Sequence, residues 1–515
     1  MQTPEIKSAW LFDLLSVALL LSFALAIAYP RWRARIDWRD EGLLAYGAVR
    51  VAQGEIPHRD FVSLQPPLTF YTTAGLFKLC GTSLTTLRFF GLSIFLMLPL
   101  LIYGVGRSLR GGPILSFAAA APACLLGIPY MYFVPLAVWQ GIAASFAAVL
   151  LFAPAAMTRR QWLAFPSGVL TAFSLFLRHD QAVYTSISIF ALVIALRFAR
   201  HDSVSKTNLK RPLLLWFAGI AIVVIPAIIV WWKLGTLPEM FRQLIVFPFA
   251  TYRKTSSLPF PKITAGKTAA ETAIVLLYYL PPVVQTIAAL YLALSVVRCR
   301  FRLRESALAF LIVWSALFYL QVMVRSDQTH LLMTLPPFFL LTAFSWSIVQ
   351  ENIASNHKIG IILSAVFAML VGAFLWLLRS IALPDVSRAN EQLALERGGV
   401  RIEQARVVAS FVHSLQTYVP PTRSILALPY QPMFYFLCGR RNPTRWNYLW
   451  PGDQTARDHE RVVEEAEHDP PAVILLSEQR ELAAYAPTIV AYVEAHYIQT
   501  SNLGNLAIYV RREGE

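Results

Sequence analysis

A chain of 515 residues that is 56% hydrophobic and only 15% charged, with a mean hydropathy of +0.52, is too apolar for a soluble protein, in which about a quarter of residues carry charge. Its net charge of +15 would suggest nucleic acid in a soluble chain. Here apolar runs of membrane-spanning length recur, so the excess Lys and Arg read as cytoplasmic loop anchors and no nucleic-acid partner is expected. Cys80, Cys124, Cys299 and Cys438 are scattered, with no CxxC pair and no His cluster. They carry neither a zinc signature nor a disulfide framework, and a Cys80–Cys438 bridge stays open.

Ala9 to Pro30 is long and apolar enough to span, with no clear small-residue cleavage site after it. It reads as a first transmembrane helix rather than a removable signal. Further spans are expected at about 86–106, 113–130, 132–154, 161–177, 181–198, 213–232, 274–297, 306–324, 331–350 and 359–379 by the length rule. Basic residues fall in alternate loops: Arg107 and Arg110; Arg159 and Arg160; Arg197, Arg200, Lys206, Lys210 and Arg211; Arg298, Arg300, Arg302 and Arg304; and Lys358. Those loops are assigned to the cytoplasm. The N-terminus is then inside, while loops 30–85, 178–180, 233–273 and 325–330, and everything after residue 380, lie outside. Arg31, Arg33 and Arg35 run against this rule but are outnumbered.

Within the first outer loop, Asp40 to Gln53 is expected to be a short helix closed by Gly54. Pro66-Pro67 opens a second helix, Leu68 to Leu79, ended by Gly81 and suited to lying in the bilayer interface. Residues 233–273, with Phe247 to Lys254 at their centre, read as a loop with a basic, aromatic tip. From 385 on, charge rises and long apolar runs end. Asn390 to Tyr418 is patterned as an amphipathic helix and Gln454 to His468 as a polar one. Ser424 to Leu428 and Ala472 to Leu476 have the look of short buried strands. The expected architecture is therefore a polytopic α-helical membrane protein of about 11 transmembrane helices (1–384), with a small extracytoplasmic α/β domain at 385–515.

Three polar clusters fall on the outer side. Asp40-Glu41 opens a helix, where acidic residues favour the N-terminus as caps. A carboxylate held at the membrane surface can equally take the proton of a sugar hydroxyl. Arg178-His179-Asp180 and Arg325-Ser326-Asp327-Gln328-Thr329-His330 repeat one composition between span ends. Each is either an ion pair with a snorkelling Arg or a cationic site for phosphate. Arg59, Asp60 and Arg88 lie on the same side, and Arg253 and Lys254 are placed to reach over it. Such a face suits a ligand with a lipid tail and an anionic head.

The run Asp40-Glu41-Gly42, Tyr46, Arg50, Gly54 to Phe61, Gln65 to Tyr71, Leu76 to Gly81 and Leu87-Arg88 resembles the first outer loop of GT-C glycosyltransferases. It is similar to bacterial members of the family-39 and aminoarabinose-transferase type, related to the protein O-mannosyltransferases. The likeness is good over 36–90. The 178–180 and 325–330 loops, and Tyr435-Phe436 with Arg441 to Arg445, look like those of related bacterial branches. The resemblance implies a GT-C membrane domain and an inverting transfer from a polyprenyl-phosphate sugar to a lipid, glycan or protein acceptor at the outer face of the bacterial inner membrane. Asp40 matches the family's catalytic carboxylate. Glu41 would orient it or contribute to acceptor or metal binding, with a divalent cation left open as cofactor. The substrate-binding set would be Arg59, Asp60, Tyr71, Lys78, Arg88, Arg178, His179, Asp180, Arg253, Lys254, Arg325, Asp327 and His330. Two other readings stand beside it: a transporter or flippase for lipid-linked saccharides, which would place ionisable groups at mid-membrane, and a non-catalytic binding subunit. A ligase moving whole glycans would differ in its donor.

Overall fold

The computed structural model describes residues 4–199, 209–266, 268–353 and 357–512. Lys206 and its neighbours in the basic loop that informs the topology lie outside them. In chain order the helices are α1 (Pro4–Ala28), α2 (Asp40–Ala52), α3 (Leu68–Cys80), α4 (Leu84–Ser108), α5 (Pro113–Ala120), α6 (Ala137–Met157), α7 (Ala164–Leu177), α8 (His179–Phe198), α9 (Lys210–Lys233), α10 (Leu237–Phe241), α11 (Arg253–Thr255), α12 (Ala269–Val297), α13 (Leu303–Val324), α14 (Gln328–Ile353) and α15 (His357–Ala382). There follow β1 (Glu391–Gln392), β2 (Arg401–Ile402), α16 (Ala405–Tyr418), β3 (Ile425–Leu428), α17 (Met433–Cys438), α18 (Ala456–His468), β4 (Val473–Leu476), α19 (Gln479–Tyr485), α20 (Pro487–His496), β5 (Tyr497–Leu503) and β6 (Leu506–Arg511).

Among the described residues nine helical segments, not eleven, are long and apolar enough to cross a membrane; Gln161–Leu177 and Ala365–Arg379 are shorter. The segment expected as one span at 113–130 is among the nine, as Pro113–Met131, but is not one regular α-helix. Its helix ends at Ala120 and tight 3₁₀ turns follow at Ala121–Cys124 and Ile128–Met131. Pro122 and Pro129 bring no N–H to an α ladder. Gly127 stands at φ +124°, where a Cβ would come within 2.9 Å of the Trp139 ring.

The chain forms two compact units. The first comprises residues 1–32, 91–229 and 258–385. Its centre is aromatic. Trp139, Trp216 and Trp314 are fully buried, with Trp314 4.5 Å from Phe146 between ring centroids. Small hydroxyls join helices across this core: Trp314 Nε1 donates to Thr185 Oγ1 (3.2 Å), Trp216 Nε1 to Thr171 Oγ1 (3.1 Å), and Ser145 and Ser174 share a bond of 2.9 Å. Where lipid tails are as apolar as the side chains, close packing of small residues and such bonds hold helices together. Burial separates inner from outer helices: 72% of the apolar window in α6 and in α14 is buried, against 11% in α9 and 17% in α12.

The second unit comprises residues 33–90, 230–257 and 386–515. It holds a four-stranded sheet ordered β3-β4-β6-β5, parallel between β3 and β4 and antiparallel elsewhere. All eight residues of β3 and β4 are buried, which explains their unbroken apolar runs. Leu426, Leu428, Ile474, Leu476, Val462 and Ile489 form the core beneath. Two expectations are corrected here. Asn390 to Tyr418 is helical only from Ala405, because Gly398-Gly399 turns the preceding stretch into the β1–β2 hairpin, with Gly399 at φ +85°. The segment read as a loop at 233–273 is largely wound: α10 continues through wide π turns at Arg242–Val246 and Pro248–Tyr252 into α11.

Candidate active site

In the second unit the acidic stretch opens α2. Asp37, not Asp40, caps this helix: its Oδ1 accepts the N–H groups of Arg39 (3.0 Å) and Asp40 (3.1 Å). Asp40 is the first helical residue, and its side chain is thereby released from capping. Tyr430 donates its hydroxyl proton to Asp40 Oδ1 at 2.7 Å; Oδ2 of Asp40 has no hydrogen-bond partner among the described residues. Asp40 is half-buried.

Glu41 lies in a buried ion pair. It and Arg88 are both fully buried, with Arg88 Nε 2.5 Å from Oε1 and Nη2 2.7 Å from Oε2. Oε2 also accepts Asp37 N–H (3.1 Å), and Arg88 Nη2 donates to Arg35 O (3.0 Å). Neither side chain has a face open to a substrate, so Glu41 is not positioned for proton transfer nor Arg88 for phosphate. Together they anchor the loop that carries Asp37 and Asp40. Burial, then the neighbouring charges of Asp40 and Glu41, push the Asp37 carboxyl up to about 7.

Residues from 430 to 447 pack on α2. Gly42 lies so close to α17 that a Cβ would sit 2.5 Å from Met433 N. Tyr46 stacks on Tyr435 at 4.8 Å, and its hydroxyl accepts Asn442 N–H at 2.7 Å. Buried Arg50 pairs with Glu55 (2.7 Å) and donates to Asn447 Oδ1 (2.8 Å) and the carbonyls of Thr444 and Asp60. Arg59 is exposed and pairs with Asp60 at 2.8 Å. Burial works against ionisation of Asp60, but that pairing and the Ile56 N–H hold its carboxyl below the usual range. Tyr71, Lys78, Arg253 and Lys254 are all exposed. His58, at φ +70° and fully buried, meets Gln243 Oε1 through Nδ1 at 2.8 Å. Burial pushes it down to about 4, so it is a neutral pin between the first loop and the 237–255 segment.

In the first unit the two loops of like composition are one motif used twice: Arg178-His179-Asp180-Gln181 and Arg325-Ser326-Asp327-Gln328. Each Arg is extended at the end of a helix (φ −157°, ψ 94° and φ −141°, ψ 105°): Arg178 alone separates α7 from α8, and Arg325 with Ser326 and Asp327 separates α13 from α14. Each turns its Nε onto the Asp two residues on, at 3.0 Å for Arg178 and 2.6 Å for Arg325. Gln321 links the corners: its Nε2 donates to Asp180 Oδ2 (2.7 Å) and its carbonyl accepts Arg325 N–H (3.2 Å). His330 donates its backbone N–H to Asp327 Oδ1 at 2.8 Å, and its Nδ1 lies 2.7 Å from the same oxygen. Burial opposes ionisation of Asp327, but His330 and Arg325 hold it down to about 2. Both Nη groups of Arg178 are without a hydrogen-bond partner among the described residues, leaving that edge of the guanidinium for an anion. His179 Nδ1 is buried and has no hydrogen-bond partner among the described residues.

The expected site residues thus divide between the units: Arg178, His179, Asp180, Arg325, Asp327 and His330 in the first, the others in the second. Asp37 and Tyr430 escape the sequence reading. An acid three residues before Asp40 was a visible signal for the cap; nothing local marks Tyr430. All four cysteines are free, and among the described residues no three His, Cys, Asp or Glu side chains gather as a metal site.

No family model and no curated protein matches the sequence. Solved structures do. ArnT from Cupriavidus metallidurans bound to undecaprenyl phosphate aligns with a TM-score of 0.55 at 12% identity, over 98% of both chains. The Archaeoglobus fulgidus oligosaccharyltransferase tethered to an acceptor peptide aligns at 0.54 and 12% identity, over 97% of this chain and 74% of that one. The same archaeal enzyme, AglB, with an inhibitory peptide and a dolichol-phosphate, aligns at 0.53 and 12%. The chain shares the fold of these proteins.

Proposed function

We propose that the chain is a glycosyltransferase that takes a sugar from a polyprenyl-phosphate donor and passes it, with inversion, to an acceptor hydroxyl at the outer face of the bacterial cell membrane. The observation that carries this reading is Asp40: a half-buried carboxylate with one oxygen held by Tyr430 and the other unengaged. Asp40 Oδ2 takes the acceptor proton as the acceptor oxygen bonds to the anomeric carbon. The bond from that carbon to the phosphate oxygen breaks, and its electron pair leaves with the polyprenyl phosphate. Cationic side chains stabilise the phosphate's charge as it leaves. Support comes from the shared fold and from two similar structures that hold polyprenyl phosphates.

The test is transfer from a panel of polyprenyl-phosphate sugars to envelope acceptors by the purified protein in nanodiscs. Asp40→Asn is expected to lower the rate about 10²–10⁴-fold, the usual scale of general-base catalysis, with the melting temperature unchanged. Wild-type transfer by that variant would overturn the assignment. Movement of the intact lipid-linked donor across the bilayer without transfer would favour the flippase reading.

A further inference from the structure

We propose that Tyr430, Trp450, Arg39 and Glu478 form the acceptor subsite beside Asp40, and that the acceptor is a saccharide. The inference rests on the Asp40 reading and adds the chemical class of the second substrate. Arg39 directly precedes Asp40, and Tyr430 is bonded to Asp40 at 2.7 Å, so a group reaching Asp40 meets these side chains. Tyr430 lies 5.1 Å from Tyr448 and 6.1 Å from Trp450 between centroids. The Arg39 guanidinium stands 5.8 Å from the Tyr430 ring centroid and 5.9 Å from that of Trp450, and reaches Glu478 at 2.9 Å.

That ion pair does little for the fold. Its side chains are 42% and 41% exposed, and solvent-exposed pairs add little to stability. Glu478 nonetheless holds φ +53°, a left-handed conformation unfavourable for a residue with a Cβ, and conformations of that kind concentrate at functional sites. Aromatic rings, a planar guanidinium and a carboxylate side by side match a sugar. The C–H face of the sugar ring stacks on Tyr430 and Trp450, vicinal hydroxyls bond to Arg39 and Glu478, and one hydroxyl points at Asp40.

The same surroundings suit other acceptors less well. A lipid needs an apolar groove, whereas the Arg39–Glu478 ion pair lies at this site. One way to hold an extended peptide is a free sheet edge, and β3 and β5 are the edge strands here. The edge strand β3 is already occupied: Tyr435 hydroxyl bonds Ala427 N–H at 2.7 Å, and Ile425 N–H donates to Arg441 O at 3.1 Å.

The experiment needs no donor, so its failure is separable from failure of the transfer reading. The full-length protein in nanodiscs is offered three fractions of its host's envelope: acid-released oligosaccharides, protease-released peptides and solvent-extracted lipids. Retention and tryptophan fluorescence are recorded. Oligosaccharide should bind saturably, at least tenfold more weakly to Trp450→Ala and to Arg39→Gln, and still bind to Asp40→Asn. Arg39→Gln, on the exposed rim, keeps the test decisive if Trp450→Ala does not fold. Retention of peptides or lipids in place of oligosaccharides, retention of no oligosaccharide, or oligosaccharide binding unchanged in both rim variants would overturn the proposal.

Discussion

Asp37, Asp40 and Glu41 lie within five residues yet differ in every physical respect. Glu41 is sealed against Arg88, and removing one charge from such a pair leaves the other buried and uncompensated at a cost of about 3–5 kcal/mol. Glu41→Gln should therefore lower the thermal stability of the purified protein sharply. A variant that melts like the wild type but does not transfer would instead place Glu41 in the chemistry. Asp37 carries the opposite sign. Its folded-state value, about 7, stands above the ordinary 3.8, so between about pH 4 and 7 the folded protein holds more protons than the unfolded chain. Stability then falls as pH rises through that window, by at most about 1.4 kcal/mol per pH unit. Asp37→Asn keeps an oxygen for the helix cap and cannot ionise. Melting curves from pH 4 to 8 should show a shallower decline in this variant than in the wild type; equal slopes would refute the assignment.

At the scale of elements, α2 is positioned by the absence of a side chain. Gly42 meets the Met433 backbone, and Gly42→Ala must push α2 and α17 apart, at about 1–3 kcal/mol for overpacking. Both melting temperature and transfer should drop, since Tyr430 lies just ahead of α17; unchanged transfer would mean that this contact does not set the site. This pair also marks what was legible in sequence. Helices α2 and α3, their terminal glycines and the short strands β3 and β4 all follow from local patterns. The β1–β2 hairpin hides inside an amphipathic period broken only by Gly398-Gly399. The wound 237–255 segment is hidden by Pro238, Pro248 and its aromatic run, which resemble loop punctuation. Asp40 was readable from the loop around it. The Tyr430 bond was not, because its partners are 390 residues apart, and the Glu41–Arg88 pair, which withdraws both residues from the site, spans 47 residues.

At the scale of the molecule, the second unit is assembled from three separate stretches of chain, 33–90, 230–257 and 386–515. Deleting residues after 385 would take away Tyr435 from Tyr46, Asn447 from Arg50 and Tyr430 from Asp40. The shortened protein should still insert, yet lose transfer and become sensitive to protease within 36–80; protection equal to the full chain would refute this dependence. The 390-residue separation of Asp40 and Tyr430 also has a meaning in time. At about 5–20 residues per second, Tyr430 leaves the ribosome roughly 20–80 s after Asp40. During that interval the nascent chain carries an acidic stretch without its hydroxyl partner, so the Asp40–Tyr430 bond can form only after residue 430 has been made.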